Sequence, residues 1–257
     1  MNHSYLCSSH GLFLPACVIS LTTLLFNNYA YAGDWSIGGG MVAEQLAYRD
    51  YDAQFMPIPI VTYQGERFFI SGQGAGIHMF NTDTHSVDFT VSYSSLSFKP
   101  SDSDDLAMKK LDKRRATAMA GVEYQYHAGW GTVSGEVATD ILGYSNGVVI
   151  DVGYQYSFQF GKWQWVPSAG IKWQSRSFND YYFGINQQEA QRSNLHEYQA
   201  KSDISSYLSL SSYYAINDNW QLFLSGHYEQ MSDAVKDSPM TERAYSLSVA
   251  TGFLYKF

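Results

Sequence analysis

His227 and Glu229 lie two residues apart, which in an extended segment puts both side chains on one face, as a metal or an acid–base pair would need. Neither a third ligand nor a nucleophile accompanies them, so the couple is read as a polar pair rather than a site. The same alternation sends Asp88, Glu123, Glu136, Asp140, Asp151, Lys172, Arg176 and Glu229 to one interior. These charges suit either a conduit that favours cations or a polar filling of mutually paired side chains, and the filling is the preferred reading. Serine-elbow, P-loop, paired-carboxylate and zinc spacings are all missing, which points to a protein that is not an enzyme and takes no cofactor or metal.

Two loops hold the remaining chemistry. Residues 99–115 set Lys99, Lys109, Lys110, Lys113, Arg114 and Arg115 against Asp102, Asp104, Asp105 and Asp112. On an external surface the basic end would attract anionic lipopolysaccharide, although a solvated loop is the plainer account. In 177–202, Tyr181, Tyr182, Phe183, Ile185, Leu195 and Tyr198 are too apolar for mere solvation. This segment either folds into the mouth of the interior as a plug or offers a partner a contact surface, with the plug preferred. As a plug it would set Tyr181 or Tyr182 against the inner wall, hold Gly184 at positive φ, and pair Glu189 or Arg192 with an inner charge such as Lys172 or Asp140.

These residues need strands to position them. The chain has 257 residues, 45% hydrophobic but only 16% charged, with 21 Tyr, 15 Phe and 6 Trp, and a mean hydropathy of −0.25. Sixteen basic against 24 acidic residues give a net charge of −8, which argues against nucleic-acid binding. Residues 12–26 form an apolar run, and Ala30-Tyr31-Ala32 supplies a small-x-small cleavage pattern, so 1–32 is read as a signal peptide and 33–257 as the mature domain. The leader lacks Lys and Arg; Leu14-Pro15-Ala16-Cys17 is only a faint lipoprotein box. Cys7 and Cys17 both fall in the leader, which removes thiol chemistry and disulfides from the exported chain.

From Gly33 onward the period is two. Tyr245, Leu247, Val249, Thr251, Phe253, Tyr255 and Phe257 alternate with small and polar residues, and 87–93, 148–160 and 220–228 repeat the pattern. Twelve strands are expected, at 34–46, 55–64, 66–72, 75–81, 86–98, 115–127, 130–142, 147–160, 162–176, 203–216, 219–231 and 243–257. Tight turns then fall at one end and long polar connections at the other, as in outer-membrane barrels. Lipid offers backbone groups no partner, so strands that face it must close on themselves. A soluble β-sandwich is the alternative, but it does not need Tyr and Trp gathered at strand ends. The expected fold is therefore an all-β, single-domain transmembrane antiparallel β-barrel with both ends of the mature chain at the periplasmic rim.

Phe253, Tyr255 and Phe257 on one face of the last strand are similar to the terminal signal by which outer-membrane barrels are recognised, which makes the barrel-assembly machinery an expected partner alongside outer-membrane lipids. Several stretches resemble the MipA/OmpV family of MltA-interacting outer-membrane proteins. They are Tyr181-Tyr182-Phe183-Gly184-Ile185 followed by Glu189-Ala190, Arg192-Ser193, Leu195 and Tyr198; Pro57-Ile58-Pro59-Ile60 with Tyr63 before Arg67-Phe68-Phe69; and Leu106 with Leu111-Asp112-Lys113-Arg114. Phe183 and Ile185 depart conservatively from the family's usual residues. The resemblance implies an outer-membrane barrel and, for some members, a scaffold that joins a lytic transglycosylase to a murein synthase; others are described as permeability proteins or adhesins.

Overall fold

The structure is a computed structural model that describes residues 34–257 except Gln73. The signal-peptide reading of 1–32 lies outside the described residues. The strands are β1 (Asp34–Gln45), β2 (Gln54–Gln64), β3 (Phe68–Ser71), β4 (Gly74–Asn81), β5 (His85–Ser94), β6 (Thr117–Ala128), β7 (Gly131–Asp140), β8 (Val148–Gln155), β9 (Phe158–Phe160), β10 (Trp163–Gln174), β11 (Asp203–Ala215), β12 (Trp220–Gln230) and β13 (Tyr245–Lys256). Most arise where apolar and polar residues alternate, whereas β2 and β3 carry the unbroken apolar runs 55–61 and 68–70. β8 and β9 both pair with β10 and are two parts of one barrel strand, so thirteen segments build twelve staves. All pairings are antiparallel between neighbours, and β1 pairs with β13 from Ser36↔Lys256 to Gln45↔Leu247, which closes the barrel.

Connections 65–67, 82–84, 129–130, 161–162 and 216–219 are tight and share one end with Asp34 and Phe257; 46–53, 95–116, 141–147, 175–202 and 231–244 emerge at the other. The expected 66–72 and 75–81 strands are present as the short β3 and β4. The expected 86–98 strand stops at Ser94 and 162–176 at Gln174, since the next residues turn inward to pack against other loops.

Ile37, Phe89, Val122, Ile150, Leu208, Leu222 and Val249 face outward and are exposed to the bilayer. Their surface is where lipid replaces water, so their exposure costs nothing there. Aromatics gather toward the tight-turn rim, Trp35 against Tyr63 at 4.6 Å and Trp220 against Tyr255 at 5.0 Å, as an interfacial girdle requires. Inside, Val42, Ile60, Val166, Tyr213, Phe223, Ala250 and Leu254 form an apolar cluster on six successive staves from β10 round to β2. Phe223 reaches over Gly40 and Gly252, where a Cβ would come within 3.1 and 2.7 Å of its ring. Glycine is needed there for close approach and not for an unusual φ.

Candidate functional site: a loop cap over a polar chamber

The long connections do not spread into solvent. Leu46, Tyr48 and Tyr51 from the first, Phe98, Met108 and Leu111 from the second, Phe178, Tyr182, Phe183 and Ile185 from the fourth, and Met231, Val235 and Met240 from the fifth pack into one buried cluster. Its centre is Tyr48, fully buried, with ring centroids 5.0 Å from Phe98, 5.3 Å from Phe183 and 5.5 Å from Tyr51. Burial pushes the Tyr48 hydroxyl well above its ordinary pKa; Tyr51 is raised to about 12 and Tyr182 also upward, again chiefly by burial.

The 177–202 segment folds locally as helices. α1 (Arg176–Phe183) starts at Ser175, whose side chain accepts from the Phe178 N–H. α2 (Gln187–Ser193) starts with a capping box: the Asn186 side chain accepts from the Glu189 N–H, and the Glu189 carboxylate accepts from the Asn186 N–H. Ile185 and Tyr198 pair through both backbone hydrogen bonds, at 2.9 and 3.0 Å. Tyr182 is buried among the loops, with its hydroxyl donating to Arg115 O at 3.1 Å; the Tyr181 hydroxyl accepts from the Arg115 N–H at 2.8 Å; the Tyr198 hydroxyl donates to Ala234 O at 2.8 Å.

Four expectations need correction. Gly184 has φ −78°, not a positive value. A glycine is needed because a Cβ would sit 2.3 Å from Asp180 O, the carbonyl that accepts the Gly184 N–H as α1 ends. Glu189 and Arg192 do not reach inner-wall charges. Glu189, 1% exposed, takes both oxygens to Arg114 Nη2 at 2.8 and 3.0 Å, and Arg192 pairs with Asp112 at 2.5 Å. α2 lies against the 95–116 loop, and so its charges are matched there, while Lys172 pairs with Glu229 at 3.1 Å and Asp140 accepts backbone N–H groups of Leu142, Gly143, Ser145 and Asn146 as well as the Thr117 hydroxyl. Arg114, expected on the basic outer end of its loop, is therefore buried, and Arg176, expected in the lumen, is exposed at the start of α1 beside Gln199.

Below the cap lies a chamber of about 220 Å³. Loop residues Tyr48, Phe178, Phe183 and Met231 line one side of it, and Glu123, Glu136, Asp151, Lys172, Tyr207, His227 and Glu229 line the barrel wall. Most inner charges have partners: Thr90 donates to Glu136 at 2.8 Å, Tyr207 to Asp151 at 2.9 Å, Ser205 to Glu229 at 2.6 Å, and His78 meets Asp88 at 2.6 Å. His227 bonds Ser209 at 2.7 Å and stands 3.9 Å from Glu229. Among the described residues, no three His, Cys, Asp or Glu groups converge as metal ligands.

The sequence reading did not find that loops 46–53, 95–116 and 231–244 share in the cap. The signals were there, in Tyr48, Tyr51, Phe98, Met108 and Met240 inside otherwise polar connections, and in the Asn186…Glu189 spacing of a helix start.

A closed antiparallel barrel with a lipid-facing apolar belt, tight turns at one rim and large loops at the other defines an outer-membrane β-barrel. Residues 37–257 match the family described as MltA-interacting protein MipA, and the chain belongs to that family. It is 35% identical to the MltA-interacting protein of Escherichia coli K12 over 225 residues, 88% of this chain and 91% of that one. It is also 30% identical to the outer membrane protein Omp26La of Vibrio anguillarum and 29% to OmpV of Vibrio cholerae, in each case over 96% of this chain and 98% of the relative. The outer membrane is thus its location.

Proposed function

We propose that the barrel is a non-enzymatic, closed anchor that holds murein-remodelling enzymes, a lytic transglycosylase with a murein synthase, at the inner face of the outer membrane. The loop cap carries this reading: a mouth covered by a buried aromatic cluster suits an anchor better than a permanently open pore. The name of the Escherichia coli relative points to the class of partner. The surface offered to a periplasmic enzyme is the tight-turn rim, where Trp130 and Phe160 are 55% and 78% exposed. Aromatic anchors of this kind dominate many interfaces.

Affinity capture from membranes, followed by identification of co-purifying murein enzymes, tests the proposal; Trp130→Ala with Phe160→Ala should reduce recovery while the barrel still inserts. Recovery of no murein enzyme, with ion flux across planar bilayers, would favour a gated channel instead. The chamber beneath the cap, with Glu123, Glu136 and Asp151 on its wall, is the observation that supports that second reading.

A further inference from the structure

The barrel wall is not continuous. β1 accompanies β2 along its whole length, from Asp34↔Gln64 to Glu44↔Gln54, but β3 pairs with β2 only at Thr62, Tyr63 and Gln64. The β3–β4 hairpin ends at Ser71↔Gly74, and Gly74 in turn faces Ser92 of β5. Beyond that rung β2 runs on through Val61 to Gln54 and β5 through Tyr93 and Ser94, and among the described residues no strand lies between them. The two sides meet again at loop level, where the Asp104 N–H donates to Asp50 O at 2.8 Å and the Asp52 N–H to Asp102 O at 3.3 Å. The wall therefore has a window on the loop side of the barrel, about 20 Å long over residues 55–61 at roughly 3.4 Å per residue.

Two hydrogen bonds fix which peptide groups face it. The Gly65 N–H donates to Phe68 O, and the Phe257 N–H donates to Trp35 O. Amides alternate sides along a strand. The first bond thus sends the odd-numbered groups of β2 toward β3; the second sends the odd-numbered groups of β1 to β13, leaving its even ones for β2, in agreement. Phe55, Pro57, Pro59 and Val61 accordingly aim their peptide groups into the window. Two of these four are prolines, which have no N–H to leave unsatisfied in lipid. Prolines at these positions also bar a further strand from pairing, so the edge is kept open and is not a place for strand addition.

The window leads toward the chamber. Phe55, 71% exposed, and Val61, 40% exposed, give it an apolar outer sill. Ser92, Ser94 and Leu96 on the β5 side of it line the chamber, as does Glu44 of β1, one strand beyond β2. The chamber wall holds Glu44, Glu123, Glu136, Asp151 and Glu229 against Lys172 and His227, with Glu123 directly across from Glu136 and Glu136 from Asp151. We propose that the window is a lateral portal through which an amphiphile with an apolar chain and a basic head enters from the outer leaflet, its chain lying between β2 and β5 and its head against the Glu123–Glu136–Asp151 wall. This goes beyond anchoring and needs no murein enzyme and no axial conductance.

The test uses the protein in liposomes. Both cysteines of the sequence lie in its first 17 residues, so with Cys7→Ser and Cys17→Ser a single cysteine introduced in the barrel takes a nitroxide label cleanly. Ser92→Cys borders the window, whereas Ser134→Cys lines the chamber on β7, away from it. A portal makes membrane-dissolved oxygen collide with the label at 92 several-fold more often than with the label at 134; equal accessibility at the two positions overturns it. Dansylaminoundecylamine should bind about tenfold more tightly than dansylaminoundecanoic acid, and Glu136→Gln should remove most of that preference while gel mobility still shows a folded barrel. Equal binding of the two probes, or a preference untouched by Glu136→Gln, overturns the assignment of the ligand.

Discussion

Replacing Glu189 by Ala isolates what holds the cap together. Its carboxylate accepts from Arg114 Nη2 at 2.8 and 3.0 Å, from the Asp112 N–H at 2.8 Å and from the Asn186 N–H at 3.1 Å, all within a site where its own exposure is 1%. Truncation leaves a buried guanidinium whose other contacts are the carbonyls of Gly184 at 3.0 Å and Asp112 at 3.1 Å. Carbonyl acceptors do not neutralise its charge. Removing one member of a buried pair costs about 3–5 kcal/mol, because the surviving charge stays desolvated; the Asp112 and Asn186 donors add to this. The cost falls on the cap alone, since none of these residues belongs to a strand. Hydrogen exchange at the Ile185–Tyr198 bridge should therefore accelerate by roughly a hundred- to several-thousand-fold, at about 1.4 kcal/mol per factor of ten, with heat-modifiable gel migration unchanged. Arg114→Met with Glu189→Leu, which removes both charges, should recover most of the protection. Exchange within about tenfold of the parent in Glu189→Ala, or equal losses in the single and double variants, would show that the ion pair does not hold the cap.

Phe257→Ala, or deletion of Phe253 to Phe257, should leave the chain exported but poorly inserted, because β13 closes the barrel on β1 and Phe257 N–H bonds Trp35 O; normal outer-membrane levels would refute this. Raising the pH should loosen the cap. Tyr51 has a folded pKa of about 12 against 10.0 when exposed, so the stabilisation it contributes is complete below about pH 10 and is lost as pH rises toward 12. Tyrosinate absorbance should show a late-titrating group that Tyr51→Phe diminishes; uniform titration near pH 10 in folded protein would contradict the burial argument. Deleting 181–198 should raise planar-bilayer conductance only modestly, since Tyr213 and Phe223 still occupy the lumen; adding Phe223→Ala should raise it further. A deletion that by itself opened a large conductance would mean that the inner cluster is no obstruction.

Alternation and turn spacing made the barrel legible from residues alone. A period of two over Tyr245–Phe257 or Val148–Phe160 has one structural meaning when the outward face is Leu, Val and Phe: those side chains meet lipid, and the backbone of these strands must then be paired with a neighbour on each side. Pairing between neighbours is local in sequence, so twelve staves and the rim holding Asp34 and Phe257 followed from where Gly, Asn and Asp supplied tight turns. The loops obey no such rule. That Glu189 meets Arg114, 75 residues away, and that Tyr48 packs on Phe183, depend on how four connections from separate staves converge over one mouth, and loop composition specifies only that something must be buried. Gly184 shows the same division: its type was conspicuous in the sequence, but whether a glycine answers a positive φ or a carbonyl 2.3 Å away from a would-be Cβ is decided by the helix end that packs beside it. The window in the wall is likewise a tertiary fact, for Pro57 and Pro59 acquire their meaning only once β3 is seen to stop at Ser71, short of the strand that it should accompany.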